Sequence, residues 1–370
     1  MRILQIVTLI SPENAYGGPV TVALNQCRAL AQAGHDVTLV AGCKGFEGDL
    51  PNIFQGVDVK LFPAHQVLPG AGFAGLAAPR MLAWLKSELP RTDAVHVHLA
   101  RDFVSLAAAS FAQNSGVRTC LQTHGMIDPS DNPLARPLDS ILTRRVLRVA
   151  HKVFHLTPVE KAGVEAVAGP RVRLEELHNG LDEDSLITPV RHDKVTVLYL
   201  ARLQARKRPL EFVAAAKALA SRFPQSRFRM VGPDEGQGNQ VAAAISQSGL
   251  GERLVWDGPA DRDGCRAAMA QADVYVLPSV DEPYPMSVLE AMGAQLPVII
   301  TESCGLAPAV SAADAGTVTT DQPGAVVEAI ARYLEDPQAR LAAGERARKL
   351  VVEHFSMNPI VEQLIRSYAS

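Results

Sequence analysis

The chain has 370 residues, 47% of them apolar and 20% charged, enough for two cores of ordinary domain size. Its formal net charge of -3 and pI near 6.4 exclude a global attraction for nucleic acid, and no nucleic-acid partner is expected. Cys27, Cys43, Cys120, Cys265 and Cys304 lie far apart, without a C-x-x-C pair, which suits reduced thiols in the cytoplasm better than a disulfide framework.

The first ten residues, MRILQIVTLI, are apolar, but Pro12, Glu13 and Asn14 follow where a signal peptide would carry its cleavage region. They read as a buried first strand. Short β-rich runs then alternate with longer amphipathic stretches: ILQIVTL, Val20 to Ala33, DVTLVA, AVHVH, VRTCLQT and KVFHL. Parallel strands buried on both faces give such continuous runs, and their crossovers are helical, so the first half is expected to be doubly wound α/β. Arg80 splits AGFAGLAAPRMLAWL, and Arg101 and Asp102 precede FVSLAAAS, so no apolar run reaches the roughly 20 residues of a membrane span.

At LHNGLDEDSLITPVRHDK an Asn-Gly turn, acidic residues and Pro189 interrupt the pattern, which sets a domain boundary near residue 190. A second α/β series follows. It comprises strand Val195 to Ala201, helix Pro209 to Arg222, strand Arg227 to Val231, helix Val241 to Ser248, and strands Leu254 to Trp256, Val274 to Leu277 and Val298 to Ile300. The expected organisation is an N-terminal Rossmann-like domain over 1–190 and a C-terminal one over 191–352. A last helix in 353–370 is opened by Asn358 and Pro359, carries an apolar stripe of Val361, Leu364, Ile365 and Tyr368, and returns to the N-terminal domain. Such sheets bind ligands at the carboxyl ends of their strands, so a cleft between the two is the expected site.

The residues that carry chemistry fall at those strand ends. In ADVYVLPSVDEPYPMSVLEAMGAQLPVII a strand ends at Pro278, a loop carries Asp281 and Glu282, and a helix opens near Ser287. Glu282 and a first-turn Glu290 can then face the helix N-terminus, where free N–H groups favour a phosphate. The same residues read equally as a capping box, Ser287 to Glu290. Arg202 ends a strand and Lys207 precedes Pro209, a good first helical residue; two cations there suit a diphosphate and its developing negative charge. Arg206 and Arg208 read as solvated. Gly17 and Gly18 follow the first strand and let main-chain N–H groups approach a phosphate, or simply make a tight turn. A nicotinamide site is disfavoured, because the G-x-G-x-x-G spacing is missing and DVTLVAGCKG ends without an acidic residue. His124 follows VRTCLQT toward the cleft; of His96 and His98, which share one strand face, His98 is the one expected to reach a ligand. No His/Cys cluster has metal-ligand spacing and no Asp-x-Asp follows a strand, so no metal or other cofactor is expected.

EPYPMSVLE resembles the E-x7-E signature of the family-4 retaining glycosyltransferases, and EAMGAQLPVI resembles the segment after it. In order along the chain, YGGP (16–19), THG (123–125), LHNGLD (177–182), ARLQARKRP (201–209) and VGPDEG (231–236) resemble that family's other motifs. The resemblance implies a GT-B fold, with two Rossmann-like parallel-sheet domains facing across a deep cleft. It implies retaining transfer of a sugar from a UDP- or GDP-sugar to a glycan, lipid-linked or small-molecule acceptor. Arg202, Lys207, Glu282 and His124 would be catalytic, with Glu282 orienting the sugar and Glu290 holding the ribose; Gly17, Gly18, Tyr284, Pro285, Met286 and Ser287 would line the donor. Pro285 stands where the family usually has glycine and removes an N–H donor; Gln295 also replaces a common glycine. Arg136, Arg144, Arg145, Arg148 and Lys152 form a basic stretch in the domain that holds the acceptor, read either as a contact with an anionic membrane on its cytoplasmic side or as an exposed helix face. Two rivals stay open: an epimerase or sugar-phosphate synthase of the same fold, and a catalytically silent nucleotide-sugar binder.

Overall fold

The computed structural model describes residues 1–12, 17–132, 135–182, 186–190 and 192–369, and the chain divides into two compact units. Unit 1 is Met1–Gly180 with Met357–Ser370; unit 2 is Leu181–Ser356. The division falls at Gly180 rather than near residue 190. Leu181 and Ile187 are buried in the second core, and the Leu181 N–H donates to Phe355 O at 2.8 Å. The Asn179–Gly180 turn is therefore the punctuation, and the polar stretch after it is packed chain.

Unit 1 contains β1 (Arg2–Ile10), α1 (Gly17–Gln32), β2 (Asp36–Cys43), β3 (Ile53–Phe54), β4 (Val57–Pro63), β5 (His65–Gln66), β6 (Leu76–Ala77), α2 (Pro79–Glu88), β7 (Ala94–His98), α3 (Ser105–Asn114) and β8 (Arg118–Gln122). α4 (Ala135–Leu138) and α5 (Arg144–Val149) follow, joined by one π-helical turn, and then β9 (Lys152–His155), α6 (Pro158–Ala168) and β10 (Leu174–Glu176). The sheet order is β10-β9-β8-β7-β1-β2-β4-β3, parallel except for β3 against β4. Period-2 alternation puts Leu4 and Ile6 of β1 in one core layer and Ile3 and Val7 in the other, which accounts for a strand apolar on both faces.

Unit 2 contains β11 (Thr196–Leu200), α7 (Pro209–Leu219), β12 (Arg227–Val231), α8 (Gly238–Ser248), β13 (Leu254–Trp256), α9 (Arg262–Ala270), β14 (Val274–Leu277), α10 (Met286–Gly293), β15 (Val298–Thr301), α11 (Ala307–Ala312), β16 (Gly316–Thr319), α12 (Val326–Glu335) and α13 (Pro337–His354). Its sheet is wholly parallel, in the order β13-β12-β11-β14-β15-β16, the doubly wound order in which the winding reverses between β11 and β14. After unit 2 the chain returns to unit 1 as α14 (Met357–Ala369), whose Ile360, Val361, Leu364 and Tyr368 are buried with α1 and β8. Among the described residues no helix is long and apolar enough to cross a membrane.

Candidate functional site

In unit 2 the loops that leave β11 and β14 straddle the reversal point, where a doubly wound sheet opens a crevice at its strand ends. The first loop carries Arg202 and, in a short 3-10 turn, Lys207; the second carries Glu282. Lys207 Nζ is paired with Glu282 Oε2, and both side chains are nearly buried, 11% and 8% exposed. Arg206 lies 3.8 Å from the same oxygen and donates to Asp281 O at 2.8 Å, while the Val280 N–H donates to Arg206 O at 3.0 Å. Arg206 is thus part of the joint between the loops, which corrects its reading as a solvated charge. Arg208, φ 50°, donates to Asp321 O at 2.8 Å and forms an ion pair with Glu211 at 3.4 Å, so it too is engaged. Burial pulls the Lys207 pKa down, Glu282 opposes that, and Arg206 and Arg202 reinforce it.

Arg202 is not free to reach out unaccompanied. Its Nη1 donates to both oxygens of Glu235, at 2.8 and 3.1 Å, and Gln204 donates to the same carboxylate. Glu235 lies in VGPDEG, a turn clasped to the Arg202 loop by Leu203 N to Pro233 O at 2.9 Å and by an Asp234 carboxylate that accepts the Gly236 and Gly238 N–H groups. Gly232 makes the approach feasible: at φ 146°, a Cβ there would sit 2.0 Å from Ala201 O.

The capping-box reading of α10 is overturned. Pro285 occupies the N-cap with no side-chain cap, and Ser287 is already helical, its Oγ 2.8 Å from Tyr275 Oη. Val288 and Leu289 donate back to Pro285 O, so the N–H groups of Met286 and Ser287 belong to the helix end that a ligand can meet. Glu290 is the fifth helical residue rather than a first-turn one, and it keeps different company from Glu282. Burial pushes its carboxyl up to about 7, with the Arg262 and Arg266 charges of α9 opposing. Tyr284 packs edge-on against Phe355, ring centroids 6.5 Å apart, and Met286 packs on the core. Gln295 adopts φ 61°, the conformation for which a glycine would serve.

In unit 1 the sheet reverses between β1 and β7. Gly17 opens α1 after β1, and a Cβ at Gly18 would meet open space; Tyr16 of the YGGP motif lies outside the described residues. His96 and His98 do share a face, stacked with centroids 4.9 Å apart, and His98 stacks in turn on His124 at 5.0 Å. His98 is 1% exposed, so it reaches no ligand directly; its Nδ1 is 2.7 Å from His124 Nε2 and its Nε2 is 3.0 Å from Gln5 Oε1. A buried amide chain sets the proton pattern: Gln122 donates to Asn179, Gln26 to Gln122 and Gln5 to Gln26, leaving Gln5 Oε1 to accept from His98 Nε2. His98 Nδ1 must then accept from His124 Nε2, which leaves a lone pair on the half-buried His124 Nδ1. Burial drives the pKa values of both His96 and His124 to about 3, so the rings are neutral at pH 7.

His124 sits at φ 50°, and Glu160 holds that turn: its buried carboxylate accepts from Thr123 Oγ1 at 2.5 Å and from the Gly125 and Leu156 N–H groups, both at 2.6 Å. Glu160→Ala is expected to cost about 2–4 kcal/mol in urea unfolding, because three buried donors lose their acceptor. It also frees His124, seen as a lost imidazole contact shift in NMR. Sequence reasoning missed Glu160, Gln5, Gln26 and Gln122 and read Asn179 only as part of a turn; a lone Gln inside each of the apolar runs ILQIV and TCLQT was the signal for Gln5 and Gln122.

The basic stretch is exposed at Arg136, Arg144, Arg145 and Arg148, with Ile141 and Val149 exposed beside them. Arg144 Nε and Arg148 Nε donate to Val167 O and Ala168 O at 2.8 and 2.6 Å, capping the carboxyl end of α6, and Lys152 is paired with Glu175. Among the described residues the Arg145 side chain makes one polar contact, to Asn114 at 3.5 Å.

Sequence comparison matches residues 17–180 to the glycosyl transferase 4-like domain and residues 182–350 to the glycosyl transferases group 1. The D-inositol 3-phosphate glycosyltransferase of Corynebacterium urealyticum is 27% identical over 46% of the chain, and the match spans 42% of that relative's length. Solved structures match over the full chain. Sucrose-phosphate synthase from Thermosynechococcus elongatus has a TM-score of 0.79 at 19% identity and is covered over 98% of its length; Anabaena HepE, solved with UDP, has 0.78 at 17% and is covered over 100%. These structures share the GT-B fold, two Rossmann-like parallel-sheet units in tandem.

Proposed function

The chain belongs to the group 1 glycosyltransferases, and from that premise we propose that it transfers a sugar from a nucleotide-sugar donor to an acceptor hydroxyl with retention of configuration. The observation that carries this reading is the cluster of Lys207, Arg202 and Glu282 on the two loops that straddle the reversal of the unit 2 sheet. The donor diphosphate exchanges Glu235 for itself at Arg202 and draws Lys207 toward the leaving oxygen, so that fixed cations meet the charge as the glycosidic bond breaks. Glu282, released in part from Lys207, accepts a sugar hydroxyl. The N–H groups of Met286 and Ser287 meet the distal phosphate, and Glu290 takes the ribose. In unit 1, His124 Nδ1 is held as an acceptor, fit to receive a sugar hydroxyl. No enzyme nucleophile is needed when the departing phosphate oxygen takes the acceptor proton on the same face.

We assign the charge neutralisation to these cations rather than to a metal, and read the donor as UDP- or GDP-linked. Anabaena HepE, solved with UDP, makes UDP the first donor to try. The test is a thermal-shift panel of nucleotide-sugars, followed by acceptor-dependent nucleotide release and the anomeric configuration of the product by NMR. A stabilising donor whose nucleotide is released only with acceptor, in EDTA as in buffer, is expected. Donor isomerisation without release indicates an epimerase, and binding without turnover a silent binder.

The stripe of Arg136, Arg145, Ile141 and Val149 favours a lipid-linked acceptor at the cytoplasmic face of an anionic membrane, where exposed cations and apolar side chains act together. Arg136→Gln with Arg145→Gln spares the α6 caps and is expected to lower binding to vesicles of anionic phospholipid about 30-fold, at roughly 1 kcal/mol per cation. Equal sedimentation with both proteins removes the membrane reading.

A further inference from the structure

The starting ends of β7, β8, β9 and β10 lie side by side in the unit 1 sheet, opposite the end that carries His98 and His124. Neighbouring strands are about 4.8 Å apart, so the residues that begin them form a row. That row is Arg173 before β10, His151 before β9, Arg118 at β8 and Asp93 before β7. It is tied by His151 N to Thr119 O and Val153 N to Arg173 O, each at 2.9 Å. The row borders a cavity of about 740 Å³, large enough for a small metabolite.

Three of the four are cationic or protonatable, and little neutralises them. Among the described residues the side chains of His151 and Arg173 make no hydrogen bond or ion pair, and Arg118 gives one of its five donors to Tyr368 O at 2.6 Å. Lys152, next to His151 in the chain, is already paired with Glu175, and the Asp93 carboxylate accepts the Arg2 N–H at 2.7 Å. Burial and then the charges of Arg118, Arg173 and Lys152 hold the His151 pKa below its ordinary value, which is the mark of positive potential without a counter-charge. Gln113 donates to Val146 O at 2.8 Å, so its Oε1 is left as an acceptor on the cavity wall.

We propose that this cavity is a second ligand site, distinct from the transfer site, and that it takes a phosphorylated sugar or polyol. The phosphate sits between the Arg118 and Arg173 guanidiniums, whose planar forks suit its oxygens, with the His151 imidazole as a further donor. Hydroxyls of the ligand donate to Gln113 Oε1 and to Asp93. The polar lining and the split between cationic and acceptor walls select an anion with a hydroxylated tail over a nucleobase or an apolar acid.

The experiment is calorimetric titration of the full-length protein with ribose 5-phosphate, with ribose and inorganic phosphate as controls, repeated with saturating UDP. Expected are binding of ribose 5-phosphate, competition by inorganic phosphate, no heat with ribose, and an affinity unchanged by UDP. Arg173→Gln with His151→Gln is expected to weaken the phosphate ester at least about tenfold while the melting midpoint holds, since neither side chain supports the fold. The proposal is overturned by no binding up to about 20 mM, by an unchanged affinity in the double variant, or by loss of the signal with UDP, which would place the ester at the donor site. Binding is read without turnover, so failure here leaves the transfer reading intact, and failure of transfer leaves this one.

Discussion

Lys207→Ala is expected to reduce glycosyl transfer about 10²- to 10³-fold and to remove about 3–5 kcal/mol of stability at the same time. The two effects have separate causes. Catalytically, the ammonium is the most enclosed cation of the cluster, and its loss leaves the charge that grows on the departing phosphate to Arg202 and the α10 terminus. Structurally, removing it strands Glu282, 8% exposed, with only Arg206 at 3.8 Å to compensate. Replacing both partners, Lys207→Met with Glu282→Leu, should restore most of the stability, because a buried ion pair exchanged for apolar side chains is often neutral, while transfer stays abolished. Denaturant unfolding and single-turnover rates at saturating donor check the pair of outcomes. Near-normal turnover in Lys207→Ala, Arg202→Ala and Glu282→Ala alike would sink the proposed chemistry.

Much of the fold was legible because buried parallel strands carry little besides β-branched and aliphatic residues. Arg227–Val231, Leu254–Trp256 and Val274–Leu277 have the expected limits. The strands that escaped notice are at or next to sheet edges: β16, at an edge, is mostly half-buried, and β4, covered on its outer side only by the two-residue β3, alternates Val57, Val59 and Leu61 with exposed residues. α9 was missed because RDGCRAAMA carries only a short apolar stripe, Ala268 and Met269, although Asp261 caps it through the Gly264 N–H. In the site, residue types could be read but pairings could not. Lys207 and Glu282 lie 75 residues apart, and nothing local says that they bind each other; nor does VGPDEG announce that Glu235 will hold Arg202. Ser287 and Glu290 show the opposite failure. Their spacing is that of a capping box, but Pro285, with φ fixed near -77°, takes the N-cap in place of Ser287 and starts the helix two residues earlier than the box requires.

Between pH 6.5 and 5.5 the two units are expected to change stability in opposite directions. In unit 1, burial depresses the pKa values of His96 and His124 to about 3, and that of His98 falls well below its ordinary value through burial and the charges of His96 and His124. An unfolded chain binds these protons near pH 6.5 and the folded column does not, so stability is present above that pH and is lost as pH falls below it. An unfolded imidazole is already half protonated at about pH 6.5, so each ring costs about 1 kcal/mol over this step, or about 3 kcal/mol for three. His35 and His151, lowered by burial, act in the same direction; Asp102, raised by burial, opposes them. In unit 2, Glu290 is raised from 4.5 to about 7, so the folded state binds the extra proton; its contribution is complete below 4.5 and is lost as pH rises through 7. Lowering the pH over the same step therefore adds about 1 kcal/mol to unit 2. Hydrogen exchange read by mass spectrometry, corrected for the intrinsic pH dependence of the rates, resolves the two units in one sample. Peptides from β7 and β8 should lose protection at pH 5.5, while those from β14 and α10 keep or gain it. Glu290→Gln should flatten the unit 2 response and leave that of unit 1 untouched. A parallel loss in both units, or the same unit 2 slope with and without Glu290, would show that neither the imidazole column nor the buried carboxyl governs the acid response.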